Sequence, residues 1–224
     1  MKNTNVSSLW AFKTMAFASL VIGILTVLLA VLAYLPGNPD FSILNTYLSD
    51  IGDTDGWPQI IFNNGTILAA PLRMIVIVLL LLVLRRYEGP RPLFEALVLF
   101  IGFVSVVGTV CMTAVPYSSA PVLHKVGIGL YFLGVVFLQS LVGFRELKIE
   151  ALPQSLTILS FLIVSCFVFF LTSFILLQTG LVSRSLSVFW EWMCFFSSMI
   201  WLFGHGILLT DEKFGFGSRK AFDI

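Results

Sequence analysis

Six long runs of apolar residues constrain this chain more than any other feature of its sequence. A helix needs about 20 mostly apolar residues to cross the hydrocarbon core of a membrane. The runs that reach this length cover residues 10–34, 60–84, 94–115, 122–144, 156–178 and 187–209. Most connections between them are short, so the sequence predicts an all-α fold. We expect one domain, residues 1–224, that forms an integral membrane bundle of six transmembrane helices.

The composition excludes several classes of protein. Of the 224 residues, 58% are hydrophobic and only 11% are charged, whereas soluble domains carry about 25% charged residues. The net charge of +1 gives no field that would attract nucleic acid. Membrane lipids are therefore the expected partners, with no nucleic acid among them. The membrane would be the cell membrane in a prokaryote, and an endomembrane or the plasma membrane in a eukaryote.

The distribution of Lys and Arg predicts how the bundle is oriented. Basic residues are enriched in the cytoplasmic loops of membrane proteins. Ten of the 13 basic residues fall on one side of the predicted helices, and that side carries both termini: Lys2, Lys13, Arg85, Arg86, Arg91, Arg145, Lys148, Lys213, Arg219 and Lys220. The other side holds only Lys125 and Arg184. We therefore expect both termini in the cytoplasm.

Arg73 lies in the middle of the second run. A charge at this depth costs about 2.5–3.5 kcal/mol on insertion scales, so Arg73 must face the bundle and find a partner. Because side chains tilt toward the N-terminus of their helix, Arg73 should reach outward. Two interpretations remain open. Arg73 could hold an anionic head group or a substrate carboxylate, or it could form a structural ion pair or bind a carbonyl that Pro71 frees.

The sixth run places four polar or titratable residues on one helix face: Glu191, Cys194, Ser198 and His205. Such a face can join helices by hydrogen bonds. For Glu191 we also expect a direct or water-bridged contact with Arg73, in the wall of a cavity that opens to the outer leaflet. A second face, on the third run, carries small residues and predicts close helix packing: Gly102, Ser105, Gly108 and Thr109.

The first outer loop, residues 35–59, combines acidic residues with turn-forming glycines. Residues 43–48 carry apolar side chains with the spacing of a helix face. The spacing predicts that this part folds back against the bundle. Asp50 would then lie over the mouth of the helices.

The two histidines do not form a metal site. Catalytic zinc needs about three protein ligands. His124 begins the fourth run, whereas His205 lies 18 residues into the sixth, which is about 27 Å deeper at the rise of an α-helix. We expect no metal and no cofactor. His124 can anchor a hydrogen bond, or act on a head group in the outer leaflet.

Several short motifs resemble those of the Frag/DRAM/Sfk family of six-helix membrane proteins, and a related group of prokaryotic six-helix proteins of unknown function. They are Ser49-Asp50-Ile51-Gly52, Phe62-Asn63-Asn64-Gly65 followed by Arg73, and His124 followed by Gly127-Ile128-Gly129-Leu130-Tyr131-Phe132. The resemblance implies roles in lipid biology: lipid remodelling of glycosylphosphatidylinositol anchors, phospholipid asymmetry, and autophagy-linked membrane functions. Family members often carry a Pro-Glu pair before the second helix. Here Gln59 follows Pro58 instead.

Three functions are compatible with this sequence. The first is a protein that handles or senses lipid through a polar cluster opening to the outer leaflet. The second is an enzyme that remodels lipids in the membrane, with His124 and Asp50 as base and orienting group. The third is a regulatory or structural partner subunit. The candidate residues for binding a lipid or another ligand are Ser49, Asp50, Gly52, Asp53, Asn63, Arg73, His124 and Glu191.

Overall fold

The structure, a computed structural model, describes residues 4–114 and 117–209. Six long helices make up most of this part of the chain. All six are long and apolar enough to span a membrane, which confirms the predicted class of fold. The helices are α1 (Thr4–Tyr34), α2 (Leu48–Asp53), α3 (Trp57–Glu88), α4 (Pro92–Thr113), α5 (Pro121–Leu147), α6 (Gln154–Gln178) and α7 (Arg184–Leu208). Only α2 is too short to span. A single 3₁₀ turn, Leu35–Gly37, follows α1.

The six long helices form a ring around a central space. Each packs against two neighbours, in the order α1, α3, α4, α5, α6, α7 and back to α1. The order follows the chain because the short connections bring each helix back beside the previous one. The space inside this ring, rather than any single helix, is therefore where inward-facing polar side chains meet.

Glycines bring α4 and α5 into backbone contact. A Cβ atom on Gly108 would lie 2.4 Å from the backbone nitrogen of Tyr131, and one on Gly127 would lie 2.6 Å from that of Met112. Neither position can carry a larger residue without moving a helix. The close packing expected of the small residues in the third run is therefore confirmed at Gly108.

The bundle has two chemically different ends. We call the end that carries α2 the capped end, and the end with Arg85, Glu88, Arg91, Glu95 and Arg145 the charged end. The sequence predicts that the charged end faces the cytoplasm, and this orientation stays a prediction. Four of the basic residues behind it lie outside the described residues: Lys2, Lys213, Arg219 and Lys220.

The loop between α1 and α3 folds back over the capped end. We call residues 46–53 the cap. Trp192 on α7 donates a hydrogen bond to the carbonyl of Thr46 at 2.9 Å, and Ile51 is completely buried. The predicted fold-back of residues 43–48 is therefore confirmed for Tyr47 and Leu48, which are buried. It is wrong for Ile43 and Leu44, which are exposed, and the helix begins only at Leu48.

Candidate functional site

A cavity of about 230 Å³ lies inside the ring, and all seven helices contribute to its wall. An engineered apolar cavity of about 150 Å³ in another protein is large enough to bind benzene. Polar side chains of the wall are concentrated near the cap, in what we call the polar half. Apolar side chains predominate farther from the cap, in what we call the apolar half, although Gln139 lies there too. The polar half includes Ser49, Asp53, Asn63, Thr66, Thr113, His124 and Glu191, and the apolar half includes Phe132, Val135, Leu138, Ile163 and Leu202.

Arg73 lies where the two halves of the cavity meet. Its Nη2 donates a hydrogen bond to Thr109 Oγ1 at 2.8 Å, and its guanidinium lies 4.9 Å from the centre of the Tyr131 ring. Thr109 in turn donates to the carbonyl of Ser105 at 3.1 Å. Ile77 packs opposite Gly102, so Thr109 is nearer the capped end than the backbone of Arg73. The predicted reach toward the N-terminal end of its helix is therefore confirmed, and whether this end faces outward stays a prediction.

The expected direct contact between Arg73 and Glu191 was wrong, and the water-bridged form of this contact stays a prediction. The ion pairs of the described residues include neither of these two side chains. Arg73 also makes no hydrogen bond to a carbonyl, which was the second structural role expected of it. A neutral hydroxyl and an aromatic face are its partners, and neither carries a negative charge that would balance the guanidinium.

Glu191 is bound to the cap instead. One carboxylate oxygen accepts a hydrogen bond from the backbone N–H of Leu48 at 2.6 Å, and Ser49 lies beside the same carboxylate. Leu48 is the first residue of α2, where backbone N–H groups lack partners within the helix. Glu191 therefore satisfies this free donor and ties α7 to the cap. It still lines the cavity, as Arg73 does.

The two acidic residues of α2 have different roles. Asp50 accepts a hydrogen bond from the backbone N–H of Tyr47 at 2.9 Å and pairs with Arg184 at the start of α7. Asp50 is absent from the cavity wall, whereas Asp53 lines it. Asp53 accepts two hydrogen bonds from Ser118, from the backbone N–H at 3.1 Å and from Oγ at 2.9 Å.

The structure does not assemble the base and orienting group of the enzyme hypothesis. The Asp50 carboxylate is engaged by Tyr47 and Arg184 and lies outside the cavity wall, whereas His124 lines the cavity. His124 packs edge-on against Tyr117, with ring centres 5.4 Å apart. The pairing of His124 with Asp50 was therefore wrong.

Three buried polar atoms in side chains of the cavity wall have no hydrogen-bond partner. They are Ser19 Oγ, His124 Nδ1 and Gln139 Oε1. Buried polar groups are nearly always paired in proteins, with another residue, water or a ligand. The wall thus offers more hydrogen-bonding capacity than the protein itself uses.

A second polar network lies between α5, α6 and α7, nearer the charged end. His205 Nε2 is 2.8 Å from one oxygen of Glu146, and Ser160 donates a hydrogen bond to the other oxygen at 2.7 Å. Trp201 donates to Ser160 at 3.0 Å, and its carbonyl lies 3.0 Å from His205 Nδ1. Since Nδ1 must donate to this carbonyl, a further proton lies between Nε2 and Glu146. The pair is therefore neutral as a whole.

Ion pairs also join acidic and basic side chains at the charged end. Arg85 and Glu95 form two hydrogen bonds, one of them from Nε at 2.7 Å. Glu88 pairs with Arg91 at 3.0 Å and with the nearly buried Arg145 at 3.3 Å. Each of these carboxylates thus lies beside a basic group.

Seven of the eight predicted site residues meet in one place. The cavity wall includes Ser49, Gly52, Asp53, Asn63, Arg73, His124 and Glu191, and only Asp50 lies outside it. The sequence analysis did not predict that Thr109 and Tyr131 contact Arg73. It named Thr109 on the small-residue face of the third run, and Tyr131 in the motif that follows His124. It also missed Glu146, which lies two residues beyond the end of the fourth apolar run.

The fold and the site define a class of protein: a multi-pass membrane bundle with a capped, partly polar cavity in its interior. The chain belongs to the family described as the Frag1/DRAM/Sfk1/Cwh43P N-terminal domain, whose model matches residues 6–205. This confirms the resemblance of the sequence motifs. No curated protein and no solved structure matches the chain.

Proposed function

We propose that this protein binds a membrane phospholipid in its central cavity and that Arg73 holds the phosphate. The observation that carries the proposal is the state of Arg73. It is a cation in the middle of a membrane bundle, it faces a cavity, and no carboxylate among the described residues pairs with it. An arginine cannot remove this cost by losing its proton.

The geometry of the guanidinium suits a phosphate. Arginine presents its N–H donors in a planar fork that can bind two phosphate oxygens at once. Thr109 accepts a hydrogen bond from Nη2, and the Tyr131 ring covers one face of the guanidinium. The remaining donors are therefore available for a ligand in the cavity.

The two halves of the cavity suit the two parts of a lipid. The polar half would surround the head group, and the apolar half would receive part of an acyl chain. The α1 face outside the ring exposes a large apolar surface to the membrane, including Val21, Ile24, Leu25, Leu28, Leu29 and Leu32. Acyl chains can continue into such surroundings at little cost.

The test is native mass spectrometry of the full chain purified in mild detergent. We expect the wild type to retain phospholipid and Arg73→Gln to lose most of it. The matched control is Lys125→Gln, which removes one positive charge from an exposed position outside the cavity wall. This control should retain lipid as the wild type does.

Two outcomes would contradict the proposal. One is equal retention of phospholipid by Arg73→Gln and the wild type. The other is a wild type that carries no phospholipid after purification and takes up none from mixed micelles. Circular dichroism of each variant shows whether the helical bundle is intact, so a folding defect is not mistaken for a binding defect.

A further inference from the structure

We infer that the bound lipid carries an ammonium group with N–H donors beyond its phosphate, as in a phosphoethanolamine head group, and that Glu191 receives this ammonium. The inference rests on the proposed function, in which Arg73 holds the phosphate. It adds a second charge to the recognition and so specifies the class of lipid.

The first argument is that the cavity wall holds a cation, Arg73, and a carboxyl group, Glu191, that do not pair with each other. Both side chains line the cavity. Neither forms an ion pair with a described residue. Arg184, the basic residue at the start of α7, pairs with Asp50 instead. A zwitterionic ligand would place its phosphate at Arg73 and its ammonium beside Glu191, where the ammonium would stabilise the ionised carboxylate.

The second argument is the order of the groups along the cavity. Glu191 is at the cap, where it accepts from Leu48, and Arg73 is deeper, at the level of Thr109 and Tyr131. The apolar half lies beyond Tyr131, toward the charged end. A zwitterionic phospholipid carries its ammonium, phosphate and acyl chains in this same order. A head group that enters at the cap would thus place its ammonium near Glu191 and its phosphate near Arg73.

The third argument concerns the kind of ammonium. Ser49 lies beside Glu191, and the cavity wall also carries the side-chain oxygens of Asp53 and Asn63 as hydrogen-bond acceptors. A primary ammonium has three N–H donors for such acceptors. A quaternary ammonium has none, and proteins recognise it with aromatic cages. The site therefore favours a primary ammonium over choline.

The experiment measures competition between lipids by native mass spectrometry of the full chain. Phosphatidylethanolamine, phosphatidylcholine and phosphatidic acid with identical acyl chains are supplied in mixed micelles. We expect the wild type to prefer phosphatidylethanolamine over each of the others by about tenfold, as a charge-assisted hydrogen bond would give. In Glu191→Gln this preference should fall below about twofold, with total phospholipid binding maintained.

A matched control separates the cavity from the surrounding charge. Asp50→Asn removes a neighbouring carboxylate that is absent from the cavity wall, so the preference should stay as in the wild type. Loss of the preference in Asp50→Asn but not in Glu191→Gln would overturn the assignment. So would equal binding of phosphatidylcholine and phosphatidylethanolamine by the wild type.

Two further outcomes separate this inference from the proposed function. If Arg73→Gln loses lipid while Glu191→Gln keeps the tenfold preference, the phosphate site stands and the ammonium site is wrong. If Arg73→Gln keeps all its lipid, both are wrong. Soluble glycerophosphoethanolamine, added at the concentration of the lipid, should displace nothing, because it cannot fill the apolar half. Displacement would show that the ligand is a soluble phosphodiester rather than a lipid.

Discussion

Among the described residues, charged side chains pair with each other near the charged end but not in the central cavity. At the charged end Glu88, Glu95 and Glu146 each lie beside a basic group. In the cavity Arg73 and Glu191 share one wall and remain apart. Both regions belong to the same ring of helices, so the difference does not arise from the fold as such.

The comparison teaches how to separate structural from functional charges in a membrane bundle. A charge that serves only the fold needs its partner within the protein, since burial without one is costly. A charge that serves a ligand has its partner outside the protein. On this criterion the charged end holds the bundle together, Arg73 serves binding, and Glu191 both ties α7 to the cap and lies free of any basic partner among the described residues.

The largest expected effect breaks a pair near the charged end. Glu146→Ala leaves the completely buried His205 without its partner. We expect a loss of about 3–5 kcal/mol in the free energy of unfolding, as for other buried pairs that lose one member. Unfolding in mixed micelles, followed by the near-ultraviolet circular dichroism of the tryptophans, measures it. The variant Glu146→Ala/His205→Ala should lose less than the sum of the two single losses.

The matching change in the cavity should affect stability much less. Arg73→Gln loses the hydrogen bond to Thr109 but also removes a costly buried charge, so the net change should stay within about 1 kcal/mol. Stability is measured on protein from which lipid has been removed. A loss as large as that of Glu146→Ala would show that Arg73 is a structural group, and the comparison would fail.

An intermediate effect is expected at the cap. Trp192→Phe keeps the aromatic packing on Phe41, with ring centres 6.1 Å apart, but removes the donor to the carbonyl of Thr46. The cap should be destabilised by about 1 kcal/mol. Hydrogen exchange at the amides of α2 should become faster while exchange in α5 stays unchanged. Equal acceleration in both would show that the cap does not open separately from the bundle.

The smallest effect concerns pH at the cap. Burial raises the pKa of Tyr47 above its usual 10.0, although Ser187 and Arg184 act in the opposite direction. The folded cap thus favours the neutral phenol. The stability that this contributes is complete below pH 10.0 and is lost as the pH rises through the raised pKa. Tyr47→Phe should flatten the pH dependence of the melting temperature above pH 10. A slope as steep as that of the wild type would contradict this.

The sequence predicted the class of fold because the membrane imposes a simple rule on helix length and composition. Seven of the eight candidate residues chosen from the sequence line the cavity, since inward-facing polar residues in a ring of helices share one central space. The ring order itself follows from short connections. These features depend on hydrophobicity and chain length, which the sequence states directly.

The pairing of charges could not be predicted in the same way. Whether Arg73 meets Glu191 or Thr109 depends on the rotation of each helix about its axis and on which helices are neighbours. Glu146 was missed for a different reason. The apolar run ends at residue 144, but α5 continues to Leu147. The polar side chains of this last turn form ion pairs and hydrogen bonds inside the bundle, so the turn needs no apolar residues to be buried.

The most direct measurement of the central claim is the distance between Arg73 and the phosphorus of a bound lipid. Solid-state NMR can measure the dipolar coupling between ³¹P and ¹⁵N in protein labelled at its arginine side chains and purified with its retained lipid. We predict a coupling that corresponds to about 4 Å, the separation in an arginine–phosphate contact, and its loss in Arg73→Lys. An identical coupling in Arg73→Lys and the wild type would show that the lipid phosphate lies elsewhere and that the charge of Arg73 has another role.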